Sequence, residues 1–370
     1  MNEFGRKTHK IINLTALKSN YNIIDSLAPK SKTIAVIKAD AYGHGAIAVA
    51  KTLADIAPAL AVAFINEALF LRENGVSSPV LILEGPLAKE DVYLASKNNF
   101  WLMIHSNYQL EWLLEENYPK ELPIWVKFDT GMNRLGFNEQ QLIIAISKLK
   151  NAKFNNIVLC SHCSCADDIE NDNTLIQTKK FNAIAKLSNL PISLANSSGI
   201  INWPETYGQW NRLGIALYGG NCTNSLPLEG AKNSSLVQPS ISLKPVMTLL
   251  SCVIALRSIK KGEYVGYGNH WQAKRNSTIA TVSIGYGDGY PRSVKSGTPV
   301  LINDTRVPLV GRVSMDMITI DVTDLQRVKI GDTVQLWGDK LPVETIAEYA
   351  DTINYELLTR ISPRVKSVYC

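Results

Sequence analysis

The chain is short of cysteine, of long apolar runs and of charge of one sign, and each shortage removes a class of protein. Six cysteines in 370 residues, at Cys160, Cys163, Cys165, Cys222, Cys252 and Cys370, are too few and too unevenly spaced for a disulfide framework, which fits a reducing compartment. The longest apolar stretch, Ile56 to Ile65, is too short to cross a bilayer and contains Pro58. The opening MNEFGRKTHK has no apolar core of the signal-peptide kind, so a cytoplasmic protein without membrane attachment is expected. Lys and Arg number 38 against 33 Asp and Glu, a net +5 spread along the chain rather than gathered into a stripe, which argues against a nucleic-acid partner. What the chain does have is apolar content, 46% over 370 residues, enough for two domains with real cores.

From Leu14 to about Tyr218, short runs of Val, Ile and Ala alternate with segments of helical period, such as Asn107–Asn117 and Leu142–Leu149. Eight strands are expected, beginning near Thr33, Ala59, Val80, Trp101, Ile124, Asn156, Ile192 and Trp210. Repeated β-α units in that number predict a closed (β/α)8 TIM barrel. An open doubly wound sheet is the competitor, but TIAVIKADAYGHG does not supply the G-x-G-x-x-G loop. Gly219–Ser242, dense in Asn, Ser, Pro and Gly, reads as an interdomain segment, so residues 1–232 form the expected barrel and 233–370 a second domain. Segments such as Val246–Leu256, Thr278–Ile284, Val300–Ile302, Met317–Val322 and Thr333–Trp337 are short and β-branched, which predicts a mostly antiparallel β domain with one late helix near Val343–Ala350.

Barrel active sites sit where the strands end. There the sequence places Lys38, Arg134, His162, Asn196, Ser197, Arg212, Gly214 and Ile215. Lys38 follows TIAVI, and a lysine at the mouth of an apolar barrel loses favour for its ammonium, freeing amine to attack an aldehyde; equally, it could snorkel to solvent. Ala39 to Gly45 bring Tyr42 and two glycines to the same rim. Asn196-Ser197-Ser198-Gly199 and Leu213-Gly214-Ile215 could supply hydroxyls and backbone N–H groups for a phosphate, although each alone is also an ordinary turn. Together with Lys38 they describe a pocket for pyridoxal 5′-phosphate. Cys160, His162 and Cys163 invite a zinc reading, but on a strand the two cysteines point to opposite faces, so no metal is expected. The glycines of Gly266-Tyr267-Gly268 and Gly285–Gly289 are not followed by helices, which leaves tight turns or loop tips presenting a tyrosine.

The motifs VIKADAYGHG, KFDTGMNRLG, SH at 161–162, ANSSG, RLGIALYG, VGYG, IGYGDGYPR, VGRVSMDM and NYE occur in an order that resembles the bacterial alanine racemases over nearly the whole chain. That resemblance implies a pyridoxal phosphate enzyme that interconverts L- and D-alanine, working as a homodimer whose subunits share each active site. It implies that Lys38 carries the cofactor and is the base on one face, while Tyr267 of the partner subunit serves the other. Tyr42, Ser197, Gly214, Ile215 and Tyr355 would hold the phosphate, with Asn196 beside them. Arg212 would face the pyridine nitrogen, and His162 would bond to Arg212 and Tyr267. Arg134 and the backbone of Met315 would take the substrate carboxylate. Lys127 matches a position that is often carbamylated and orients the residue matching Arg134; Tyr286, Arg292 and Asp316 match residues of the access path. Ser193, Ser314 and Asn133 depart from residues common in the family, where histidine, cysteine and glycine are found. The same residues would also serve a racemase for serine or lysine. A non-catalytic pyridoxal phosphate carrier resembles only the barrel, and a related decarboxylase has an acid where Arg212 stands.

Overall fold

A computed structural model describes residues 6–222 and 241–370. The expected boundary between 232 and 233 lies outside the described residues. Eight parallel strands form one sheet in the order β8-β7-β6-β5-β4-β3-β2-β9. They are β2 (Lys32–Val36), β3 (Leu60–Val62), β4 (Val80–Ile82), β5 (Phe100–Ile104), β6 (Ile124–Lys127), β7 (Ile157–Cys160), β8 (Ile192–Ser193) and β9 (Trp210–Leu213). Their residues are buried almost without interruption, as expected of strands covered on both faces. Between β8 and β9 the ring closes through Arg212, whose backbone N–H donates to the Ala195 carbonyl at 3.0 Å. The result is the expected TIM barrel.

Helix starts follow from local chemistry. Asn13 accepts from the Ala16 amide to cap Leu14–Asp25, and Asn138 and Gln141 cap Glu139–Asn151 reciprocally. The lumen is closed below the site by Trp101, Trp125 and Trp210. Strand β9 is separated from β5 by three others in the sheet order, yet the rings of Trp101 and Trp210 lie 5.3 Å apart, so the contact crosses the interior.

The second sheet is mostly antiparallel. Its spine is β10 (Met247–Ile259), which pairs with β13 (Ser277–Val282) and β17 (Thr333–Trp337); β14 (Pro299–Ile302), β15 (Thr305–Pro308) and β16 (Ile318–Asp321) extend it. One strand comes from the other end of the chain. The first strand, β1 (His9–Ile12), on the barrel side of the expected boundary, pairs antiparallel with β10 and parallel with the last strand, β18 (Lys366–Tyr369). Its register puts Ile12 in the core and gives the barrel a covalent and hydrogen-bonded tie to the second domain. A small hairpin, β11 (Tyr264–Val265) with β12 (Trp271–Gln272), presents Tyr267 at its tip.

Candidate active site

The carboxyl ends of the barrel strands surround a cleft of about 520 Å³. Lys38, Tyr42, Lys127, Arg134 and His162 line it on one side of the sequence, and Asn196, Ser197, Arg212, Gly214, Ile215 and Tyr355 on the other. Eleven of the expected site residues therefore converge. Tyr355 comes from the second domain, on the short helix Asn354–Thr359.

Lys38 opens an uncommon turn. Ala39, Asp40, Ala41 and Tyr42 all have φ 53° with ψ between 39° and 54°, one turn of left-handed helix. That conformation costs L-residues roughly 1–2 kcal/mol each. It is held by Glu67, whose Oε1 accepts from the Ala39 amide at 2.7 Å, and by Asp40, whose Oδ1 accepts from the Ala46 amide at 2.7 Å. Gly43 follows with φ +78°, and a Cβ there would meet the Leu358 carbonyl oxygen at 2.2 Å. The turn brings the Tyr42 ring onto Tyr218, with centroids 4.9 Å apart, and aims its hydroxyl at Gly214.

Around Gly214 the cleft narrows to a cradle. A Cβ on Gly214 would lie 3.1 Å from Tyr42 Oη and 3.6 Å from Ser197 Oγ. Ser197 Oγ accepts from the Gly214 and Ala216 amides at 2.8 and 3.4 Å, which leaves its own proton to donate. Burial pushes Tyr42 up to about 12 and raises Tyr355 as well, so both phenols stay donors at neutral pH. Asn196 spends its Oδ1 on the Gly199 amide, capping the short helix Ser197–Asn202. A serine proton and the Tyr42 phenol beside a glycine, with the Tyr355 ring 6.0 Å from that of Tyr42, fit a phosphate group.

Arg212 crosses the floor of the cleft, 5% exposed. It donates to the carbonyls of Ser193, Ser161 and Leu194 at 3.1, 2.6 and 3.1 Å, to Ser193 Oγ, and to His162 Nδ1 at 3.4 Å. All these acceptors are uncharged. His162 is held well below the usual imidazole range by burial and by the charges of Arg212, Lys127, Arg134 and Lys38, so it is neutral. With Nδ1 accepting from Arg212, its proton belongs on Nε2. Lys127 is shifted down by burial and by Arg212 and Arg134, partly offset by Cys160 and Glu84. Four cations against Glu84 and Glu356 make this a cleft for anions.

The comparisons agree with that chemistry. The model for the alanine racemase N-terminal domain matches residues 12–222, and that for the alanine racemase C-terminal domain matches 246–369. The chain belongs to the alanine racemase family. An alanine racemase of Alteromonas mediterranea is 43% identical over 364 residues, covering 98% of this chain and 99% of that one. The biosynthetic alanine racemase of Pseudomonas aeruginosa superposes with a TM-score of 0.91 at 37% identity, covering 99% and 100%. That of Bartonella henselae, solved with covalently bound pyridoxal phosphate, gives 0.87 at 29% identity, covering 99% and 100%.

The remaining expected residues are not in the cleft of their own chain. Tyr267 stands on the second domain, 68% exposed on its hairpin tip. Met315 is 53% exposed, and its carbonyl accepts from the Gly287 amide at 2.8 Å. Arg292 lies over the Tyr286 ring at 5.9 Å, and Asp316 pairs with Arg364 at 2.6 Å. Asn133 has φ +55°, the region that glycine favours and asparagine tolerates, so the departure there keeps the backbone. Ser193 takes up an Arg212 donor. Glu84 and Cys160 line the cleft without having been singled out as site residues; Glu84 follows Leu83 at the end of β4, where the strand-end rule would have found it. The cysteines diverge, with Cys160 Sγ against Met103 Sδ at 4.0 Å and Cys165 Sγ beside Ser164 Oγ at 3.4 Å. No helix of the described residues is long and apolar enough to cross a membrane.

Proposed function

We propose that the protein racemises alanine with pyridoxal phosphate held in this cleft, as a homodimer that completes each site with Tyr267 of the partner subunit. The observation that carries the reading is the cradle of Tyr42, Ser197 and Gly214 in one cleft with Lys38 and the buried Arg212 guanidinium. Tyr42, Ser197, Gly214, Ile215 and Tyr355 hold the phosphate, with Asn196 fixing the loop. When bound, the cofactor supplies the electron sink that acidifies the α-proton.

Inverting a carbon centre requires a proton to leave one face and return on the other, and one fixed base cannot reach both. Lys38 Nζ serves the first face and Tyr267 Oη of the partner subunit the second. His162, neutral with its proton on Nε2, is the donor to Tyr267 Oη of the partner subunit. Arg212 spends its hydrogen bonds on neutral acceptors, so its charge would oppose a proton on the ring nitrogen of the bound cofactor and would limit transamination. Arg134, oriented by Lys127, takes the substrate carboxylate together with the Met315 backbone of the partner subunit. Tyr286, Arg292 and Asp316 line the way in. The setting is the cytoplasm.

The test is chiral analysis of L-alanine incubated with the protein and pyridoxal phosphate in heavy water. D-alanine deuterated at the α-carbon is expected. Bound cofactor with product only from serine or lysine would move the substrate, and absence of cofactor uptake would overturn the roles of Lys38 and the cradle.

A further inference from the structure

The left-handed turn after Lys38 receives one hydrogen bond from the second sheet. Lys10 stands on β1 in the second sheet, 5% exposed, and its Nζ donates to the Gly43 carbonyl at 2.6 Å. Among the described residues no other hydrogen bond joins that sheet to residues 38–46. The other holds belong to the barrel itself: Glu67 on Ala39, Asp40 on Ala46, and His44 Nδ1 donating to the Ala41 and Tyr42 carbonyls at 3.1 and 2.9 Å.

A buried ammonium is costly unless its hydrogen bonds matter. An aliphatic side chain would fill the same space without that cost, so packing alone does not account for a lysine here. What the amine does is satisfy a carbonyl in a segment whose handedness is unfavourable for its residues. On its other side Gly43 is pressed so closely against Leu358 that no side chain fits. The Gly43 peptide is therefore gripped between the second sheet and the Asn354–Thr359 helix. Asp40 acts on the Lys10 charge, and Lys10 on His44, so the three groups sit together.

We propose that Lys10 is a positioning residue that pins the Gly43 carbonyl and thereby fixes the turn presenting Lys38 and Tyr42 to the cleft. The consequence for cofactor affinity rests on the function proposed above; the fixing of the turn does not. Two variants of the full chain test it, Lys10→Met, which keeps the length and removes the donor, and Lys10→Gln, which keeps an N–H donor without charge. Amide hydrogen exchange in the peptide covering residues 38–46 is expected to rise about tenfold in Lys10→Met and less in Lys10→Gln. Peptides from β10 and β18 should keep their wild-type rates. The dissociation constant for pyridoxal phosphate should rise in the same order while KM for alanine stays within twofold. Unchanged exchange in residues 38–46 would overturn the proposal, as would a uniform rise across the second sheet. Should Lys10→Met fail to fold, Lys10→Gln is read by the same criteria. Wild-type protein that takes up no pyridoxal phosphate would sink the cofactor reading and leave the exchange result to decide the role of Lys10.

Discussion

At the scale of single residues the cleft makes predictions of opposite kinds. The Tyr42 hydroxyl has no hydrogen-bond partner among the described residues, so Tyr42→Phe removes nothing from the protein without cofactor. Its thermal midpoint should hardly change, whereas the dissociation constant for pyridoxal phosphate should rise about tenfold or more, the loss of a bond to a charged group. Fluorescence titration and a thermal melt on the same sample decide it; equal affinity would remove Tyr42 from the cradle. His44 makes a prediction about acid. Burial pushes it down to about 3 from 6.5, so below pH 6.5 the unfolded chain takes up a proton that the folded chain refuses. Stability therefore falls as pH drops, by about 2 kcal/mol between pH 7 and pH 5 for one such group. Asparagine can place an N–H near the site of Nδ1 but does not titrate, so His44→Asn should flatten the loss of denaturant midpoint between those pH values. An identical loss in both proteins would refute the assignment.

At the scale of elements the barrel lumen is the sharpest case. Trp125 is fully buried, its indole N–H has no partner among the described residues, and its ring meets Trp101 and Trp210 from opposite walls. Trp125→Ala should cost about 3–5 kcal/mol by urea denaturation, and Trp125→Phe far less, since it deletes an unpaired donor with the lost volume. A small effect of the alanine variant would mean that the three rings do not support one another. The barrel strands were legible in the sequence because parallel strands are buried on both faces and read as unbroken apolar runs; each begins within one residue of its expected start. The same rule misses β1 and β18. His-Lys-Ile-Ile and Lys-Ser-Val-Tyr are short and half polar, and only their pairing with each other and with β10 makes them strands. Nor is the left-handed turn written in Ala-Asp-Ala-Tyr, whose residues favour the right-handed region. Its handedness comes from contacts distant in sequence, Glu67 and Lys10 among them. The site was legible where a polar residue follows an apolar run, as at Lys38, His162 and Asn196. It was not where the role depends on tertiary partners, as with Lys10.

At the scale of the whole molecule the arrangement poses one question of geometry. The cleft gathers Lys38 and the cradle, while Tyr267 stands exposed on a hairpin of the same chain and lines no part of that cleft. A two-base racemase therefore needs a second copy whose hairpin reaches the first copy's barrel mouth. In a two-fold dimer both clefts are then completed in trans. Two variants make this testable, Lys38→Ala and Tyr267→Phe, each expected to abolish racemisation as a pure homodimer. When the two are co-expressed with different tags, a mixed dimer holds one site with both defects and one with neither. Random pairing makes roughly half of the dimers mixed, so activity should return to roughly a quarter of the wild-type value. Had Tyr267 served the cleft of its own chain, every site in the mixed dimer would carry one defect and no activity would return. Chiral assay of the doubly tagged fraction separates the two arrangements, and sedimentation of the same fraction shows whether the active species is the dimer.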